Sequence, residues 1–159
     1  MTNKKIYLIG TGVILLALLI VLLTVLLPIT VHKNKMEALL EAAASPVRLS
    51  VGDPLFETGD LFGNKGKEVL IEGERLRELT TVLKDLAVRG YRTKGTEKMK
   101  GGTMELNLKA QAASGEICIL YFNKMYFYYM DGEKAVFFEA KDTAFYQEFY
   151  QKLVSCLTE

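Results

Sequence analysis

The sequence has little of the material from which catalytic and metal sites are usually built. Its 159 residues include one histidine, two cysteines and no tryptophan. The histidine, His32, follows a long apolar run and lies too near a predicted membrane span to serve a site in the domain beyond it. Hydrolytic triads and most metal centres use histidine, so only a site made of carboxylates remains open to that domain. We predict no catalytic residue, cofactor or metal.

A strong charge of either sign is also missing. The net charge is +1, and residues 46–159 carry 16 Lys and Arg against 17 Asp and Glu. A nucleic-acid-binding domain is expected to present a basic patch, so nucleic acid is not predicted as a partner. The glycine-rich segments 63–66 and 101–102 do not join a strand to a helix at the spacing of a phosphate loop.

The sequence does contain an apolar run, residues 6–29, without a charged side chain. As a helix rising 1.5 Å per residue it would be about 36 Å long. That length exceeds the hydrocarbon core of a bilayer, which is about 30 Å thick. A cleaved signal has a shorter apolar region, and the A-x-A-like stretch at residues 42–44 lies far beyond the run. We therefore predict an uncleaved signal anchor that contacts the lipid bilayer.

Positive residues flank the run on both sides. Lys4 and Lys5 precede it. Lys33 and Lys35 follow it. Because a short positive tail before a long apolar run usually stays inside, we predict a cytoplasmic N-terminus in the cell membrane. The expected organisation is a cytoplasmic tail (residues 1–5), a single transmembrane anchor (6–29), a juxtamembrane helix or linker (30–45) and an extracytoplasmic domain (46–159).

Prolines suggest where the first helices end. Pro28 is predicted to kink or end the membrane helix. Residues 34–45 predict a short helix capped by Asn34 and ended before Pro46. Its apolar stripe fits either a rigid stalk or partner helix, or a connector that packs on the domain or lies at the membrane surface. The stripe consists of Met36, Leu39, Leu40 and Ala43.

The domain is predicted to be α+β, with an antiparallel sheet packed on two helices. Alternation predicts strands at residues 47–51 and 68–72, and leucines at helical spacing predict a helix over residues 74–88. Residues 52–66 are expected to form a loop held to the core by Phe56 and Phe62, and the polar residues 91–102 a mobile loop. A four-stranded meander then covers residues 103–140, before a last helix over residues 143–157.

Turn lengths predict which side chains share a face of the meander. A two-residue turn at Asn123-Lys124 would place Phe122 opposite Met125 and Cys118 opposite Tyr129. The preceding turn would place Leu108 beside Cys118 and Leu106 beside Leu120, and the following one Phe127 opposite Phe138 and Tyr129 opposite Val136. The predicted core face is Met104, Leu106, Leu108, Cys118, Leu120, Phe122, Met125, Phe127, Tyr129, Val136 and Phe138.

The opposite face carries a cluster of aromatic residues. Of the 16 aromatic residues in the chain, 12 lie between residues 121 and 150. Tyrosine suits a surface that is partly apolar and partly wet, so this face is the candidate partner-binding surface. The alternative is that these are strand-forming residues on a half-exposed sheet, or are covered by the N-terminal strands and the 52–66 loop. The candidate residues are Tyr121, Tyr126, Tyr128 and Phe137.

Both cysteines fall on positions predicted to face the core. Outside the cytoplasm Cys118 and Cys156 could form a disulfide, which would stabilise the fold by about 3–4 kcal/mol in the chain-entropy treatment. The alternative is that each is a free core residue.

The order of one strand, one helix, four strands and one helix over residues 68–157 resembles the TATA-binding-protein-like and helix-grip topologies. The layout of a short basic tail, one span and one α+β domain resembles the small membrane-anchored proteins of Gram-positive bacteria. Neither resemblance implies an activity. We expect a non-enzymatic extracytoplasmic module that recognises a protein, peptide or envelope component. The alternatives are a cell-envelope enzyme that uses carboxylates, and an immunity-type or structural protein.

Overall fold

A computed structural model of the protein describes residues 3–53, 67–98 and 105–158. The chain divides into two compact units, Met1–Asn34 and Lys35–Glu159. The elements of its N-terminal part are α1 (Asn3–Val21), a π-helix (Leu22–Leu26) and α2 (Leu27–Ala43). One helical segment, Thr11–Ala43, is long and apolar enough to cross a membrane by length and composition.

The helix does not end at Pro28, which was one of the two predicted outcomes, because α2 continues through it. Directly before the proline, the backbone N–H of Leu27 bonds to the carbonyl of Leu22, five residues back. Proline has no N–H and its ring crowds the preceding turn. A wider π-turn at this place accommodates both defects, as inserted turns in long helices commonly do.

The short helix predicted over residues 34–45 is the C-terminal part of α2. Asn34 therefore lies inside a helix, and its predicted role as an N-cap is wrong. Met36, Leu40 and Ala43 are fully buried and belong to the core of the second unit. Of the two predicted roles for this segment, the packing therefore agrees with a connector that packs on the domain.

The second unit has an α+β fold, as predicted. Its helices are α3 (Gly73–Arg89) and α4 (Thr143–Thr158). Its described strands are β1 (Arg48–Gly52), β2 (Glu68–Ile71), β3 (Tyr91–Lys98), β4 (Leu106–Gln111), β5 (Ile117–Phe122), β6 (Phe127–Asp131) and β7 (Lys134–Ala140). They form one antiparallel sheet in the order β2-β1-β4-β5-β6-β7-β3. The predicted meander is β4–β7, and the two predicted N-terminal strands are β1 and β2.

The edge strand β3 corrects the prediction of a mobile loop over residues 91–102. It pairs with β7 along its length, with a bulge between Thr93 and Gly95. The polar sequence of β3 shows no apolar alternation, so this strand is specified by its pairing with β7. Its first residue, Tyr91, is buried in edge-to-face contact with Phe127 and Phe138. Residues 99–102 of the predicted loop lie outside the described residues.

One sheet face joins α3, α4 and the C-terminal part of α2 in a single hydrophobic core. Most of the predicted core face is buried there, from Leu106 on β4 to Phe138 on β7. The placement of Met125 in the core was wrong, since this residue lies in a turn and is 67% exposed. Met104 lies outside the described residues. So does most of the predicted 52–66 loop, including Phe56 and Phe62.

Two predicted registers were wrong by two residues. Leu108 lies opposite Leu120, and Phe122 lies opposite Phe127. The side-chain period of a strand is two, so a shift by two residues changes the pairs and leaves every side chain on its predicted face. The register between β6 and β7 was predicted correctly, with Phe127 opposite Phe138.

The shift between β5 and β6 arises at the turn that joins these two strands. The N–H of Asn123 donates to the carbonyl of Tyr126, so the two-residue turn is Lys124-Met125 and not Asn123-Lys124. The side-chain oxygen of Asn123 accepts hydrogen bonds from the N–H groups of Met125 and Tyr126. This turn is typical of asparagine, whose side chain bonds to the backbone two or three residues further on.

Candidate functional site

The sheet face opposite the helices, here called the outer face, carries one row of residues across six strands. The row follows the cross-strand pairs in the order Gly52, Asn107, Tyr121, Tyr128, Phe137 and Gly95, from β1 to β3. It contains three of the four candidate residues from the sequence. The fourth, Tyr126, precedes β6 and contacts Phe137. The structure therefore brings all four predicted residues together.

The aromatic side chains of the row contact one another. The rings of Tyr121 and Tyr128 are stacked with centroids 4.8 Å apart. Phe137 contacts Tyr128 at 5.0 Å in a tilted arrangement and Tyr126 at 5.0 Å edge to face. Such pairs contribute about 0.5–1.5 kcal/mol each beyond the burial of their area. The four rings therefore form one packed cluster on the outer face.

The row is buried at its centre and more open toward β3. Tyr128 is only 2% exposed, so it supports the surface and has little area with which to contact a partner. Tyr121, Tyr126 and Phe137 are half-buried. The area open to a partner therefore lies on Tyr121, on Tyr126 and Phe137, and on the edge strand beside the last two residues.

Polar groups are buried beside the aromatic cluster. Glu105 is 5% exposed and accepts a hydrogen bond from the hydroxyl of Tyr128. Asn107 is 2% exposed, and its Oδ1 has no hydrogen-bond partner among the described residues. This side chain lies directly over Gly52, where an added Cβ would be 2.4 Å from Oδ1. The glycine in β1 is therefore required by the close approach of Asn107.

At the β3 end of the row there is a cavity of about 90 Å³. Its lining residues are Lys94, Gly95, Glu97, Tyr126 and Phe137. No atom of the described residues outside its own neighbours in the chain lies within 4 Å of the position where a Cβ on Gly95 would stand, so the missing side chain leaves the space above β3 open to them. A water molecule occupies about 30 Å³ in the liquid, and pockets for drug-sized ligands measure about 300–1,000 Å³. The cavity therefore has the size of one side-chain head group.

The two charged residues of the cavity differ in their contacts. The ammonium of Lys94 lies 5.5 Å from the centroid of the Tyr126 ring, which is a cation–π contact. Glu97 is exposed and makes no ion pair or hydrogen bond with any described residue. Neither these two residues nor Gly95 was predicted to belong to the site, because the polar stretch that contains them shows no strand pattern.

A tyrosine on the helical layer holds the turn that carries Tyr126. The hydroxyl of Tyr146 is bonded to the carbonyl oxygens of Asn123 and Tyr126, at 2.8 and 2.6 Å, and the residue is 1% exposed. Burial, with smaller effects of nearby acidic groups, raises the pKa of Tyr146 well above its usual value, so the hydroxyl stays a donor. Tyr146 thus couples α4 to the position of one cavity wall.

The two cysteines do not form the disulfide considered above. Both are free, buried thiols. The sulfur of Cys118 contacts the carbonyl of Leu39 at 3.4 Å, and that of Cys156 contacts the carbonyl of Lys152 at 3.2 Å. Burial, followed by the nearby Glu116 carboxylate, raises the pKa of Cys118 to about 11, and burial also raises the pKa of Cys156. Both thiols therefore stay protonated and unreactive at neutral pH.

The described residues contain no group of three or more His, Cys, Asp or Glu side chains that could hold a metal ion. No family model matches the sequence, and no curated protein or solved structure is significantly similar to it. The resemblances suggested by the order of elements and by the layout of the chain therefore stay predictions. The outer face and its cavity are the basis for a functional proposal.

Proposed function

We propose that this protein is a non-enzymatic recognition module, anchored in the cell membrane by its N-terminal helix, that binds a protein or peptide partner. The observation that carries the proposal is the small aromatic-walled cavity at the open end of the outer face. Its volume suits one side chain of a partner, and the rigid rings of Tyr126 and Phe137 limit the entropy lost on binding. Aromatic anchors in preformed pockets are typical of binding hot spots.

The proposal places the domain outside the cytoplasm. The tail of residues 1–5, with Lys4 and Lys5, supports a cytoplasmic N-terminus. A cysteine introduced at exposed Glu148 would test the orientation, because Cys118 and Cys156 are buried and give little background. We expect a membrane-impermeant maleimide to label Glu148→Cys on intact cells. Labelling only after the cells are lysed would overturn the predicted orientation.

Photo-crosslinking in native membranes tests the recognition itself. A photoreactive phenylalanine analogue replaces Tyr126 at the cavity, and the matched control carries it at Glu148, an exposed position on α4. We expect a discrete adduct from position 126, none from position 148, and loss of the first adduct in a Phe137→Ala background that remains folded. Equal adducts at both positions, or none at position 126, would contradict the proposal.

A further inference from the structure

The cavity combines aromatic rings with a carboxylate, that of Glu97, for which no described residue supplies a partner. Among its lining residues the positive charge of Lys94 already lies over the Tyr126 ring, at 5.5 Å from its centroid. The carboxylate of Glu97 has no ionic or hydrogen-bonded partner among the described residues. Within the described part of the chain, the cavity therefore offers a negative charge without a partner next to ring faces that attract cations.

We propose that the cavity binds the cationic side chain of an arginine or lysine of the partner. In this arrangement the charged head group lies against Tyr126 and Phe137 and pairs with the Glu97 carboxylate, while Lys94 moves aside. A guanidinium fits best, because it is planar, stacks on aromatic rings and matches a carboxylate with two parallel hydrogen bonds. This inference rests on the proposed function, since it names the chemistry that the recognition site selects.

The edge of β3 offers a second way to bind a peptide, by adding a strand to the sheet. The structure argues against it, because β3 has a bulge between Thr93 and Gly95 and exposes the side chains of Arg92, Lys94 and Glu97. Bulges and charges, lysine above all, are the features by which natural edge strands avoid pairing with other chains. Recognition of a side chain from above the sheet is therefore favoured over strand addition.

Titration of the full chain in detergent micelles with blocked tripeptides tests the charge preference. The probes are acetyl-Gly-Arg-Gly-amide and its counterparts with Glu or Leu at the central position. Fluorotyrosine labelling gives one ¹⁹F signal for each of the eight tyrosines, and Tyr126→Phe identifies the signal at the cavity. We expect the arginine peptide to shift this signal in a saturable way and the other two peptides to leave it unchanged.

Two substitutions at Glu97 test its role. Glu97→Gln should weaken binding of the arginine peptide by about three- to fivefold, the effect of losing one exposed ion pair of about 1 kcal/mol or less. Glu97→Lys should abolish the saturable shift. The matched control, Glu148→Lys, makes the same charge change on α4 and should leave the affinity unchanged. Because Glu97 and Glu148 are exposed, neither change should unfold the domain.

Three results would overturn the inference: a shift produced by the glutamate or leucine peptide instead, unchanged affinity in Glu97→Lys, or no response of Tyr126 to any peptide. These results are distinguishable from failure of the proposed function, which depends on the crosslink from position 126. If that crosslink forms while the arginine peptide does not bind, the site recognises a partner by other chemistry. If neither occurs, both proposals fail.

Discussion

The hydroxyl of Tyr146 provides a sharp test of how the candidate site is held in place. Tyr146→Phe removes one oxygen from a buried residue and keeps its ring contacts with Phe127 and Phe149. The hydroxyl bonds to the carbonyls of Asn123 and Tyr126. Each such bond stabilises a fold by about 0.5–1.5 kcal/mol net.

One of the two carbonyls keeps a donor after this change, because the N–H of Asn123 also bonds to the carbonyl of Tyr126. Because the hydroxyl shares its single proton between the two carbonyls, the expected loss is that of one hydrogen bond, about 0.5–1.5 kcal/mol of unfolding free energy. The assay is urea unfolding of the full chain in detergent micelles, followed by near-ultraviolet circular dichroism. The ¹⁹F signal of Tyr126 should also shift, since the turn that positions this ring loses its support.

Tyr150→Phe is the matched control. It lies on the same helix, is 8% exposed, and its hydroxyl makes no hydrogen bond with a described residue. We expect this change to alter the unfolding free energy by less than about 0.5 kcal/mol. If the two variants are equally stable, or if Tyr146→Phe unfolds like the wild type, the turn is not held from α4 and the reasoning fails.

Three further predictions concern the rest of the domain. Gly52→Ala should lower the unfolding free energy by about 1–3 kcal/mol, because the added Cβ would crowd Asn107. In a double-mutant cycle measured by urea unfolding, Asn107→Ala should restore part of this loss. Strictly additive effects of the two substitutions would contradict the contact. In the folded chain at pH 8, Cys118 and Cys156 should resist alkylation and in urea both should react, as counted by mass spectrometry; a non-reducing mass two hydrogens lower would instead show a disulfide. Burial, then the Asp131 carboxylate, raises the pKa of Tyr129 to about 12 from its ordinary value of 10. The contribution of this shift to stability is therefore complete below pH 10 and is lost between pH 10 and 12. Tyr129→Phe should reduce the fall in unfolding free energy over that interval, and an unchanged slope would contradict this assignment.

The alternation of apolar residues predicted which side chains share a face of the sheet better than it predicted which residues lie opposite each other. From Leu106 to Phe138 the apolar positions alternate, and every described member of the predicted core face except Met125 is buried. The two registers failed because each depends on the exact position of a turn, one before β5, closed by the N–H of Ala112 and the carbonyl of Glu116, and one after it. After β5, the side chain of Asn123 places the two-residue turn one residue further along the chain than predicted. The alternation of apolar residues does not predict this position.

The helices show the same division between local and tertiary information. Leucines at helical spacing in α3 gave its bounds within a residue or two, since its apolar face is local to the sequence. The continuity of α2 was not predictable from Pro28, because proline usually weakens a helix and a π-turn beside it has no signature in composition. Asn34 likewise favoured a cap that the continuous helix does not need.

Only the aromatic part of the candidate site could be predicted from the sequence, because the rest depends on a tertiary contact. Tyr126 and Phe137 lie in or beside strands whose alternation is clear, so their shared face followed from pairing alone. Lys94, Gly95 and Glu97 reach the site only because β3 pairs with β7 at the edge of the sheet, although β4, β5 and β6 lie between these two strands in the chain.

 The pairing of Gly95 with Phe137 brings the residues of β3 to the aromatic residues of the site, and no local sequence pattern predicts this tertiary contact.

The distribution of buried residues on the outer face favours recognition of a single group of a partner over contact with the whole aromatic row. If the whole aromatic row were a binding platform, Tyr128 at its centre should be open, yet it is 2% exposed and bonded to the equally buried Glu105. Partly exposed side chains lie on both sides of it, at Tyr121 and toward β3, where Gly95 leaves a cavity and the Glu97 carboxylate has no partner among the described residues. A surface built in this way contacts few atoms of a partner, so its selectivity must come from the chemistry of a single inserted group. Under the function proposed above, we expect the charge of that group to decide which partners the domain accepts.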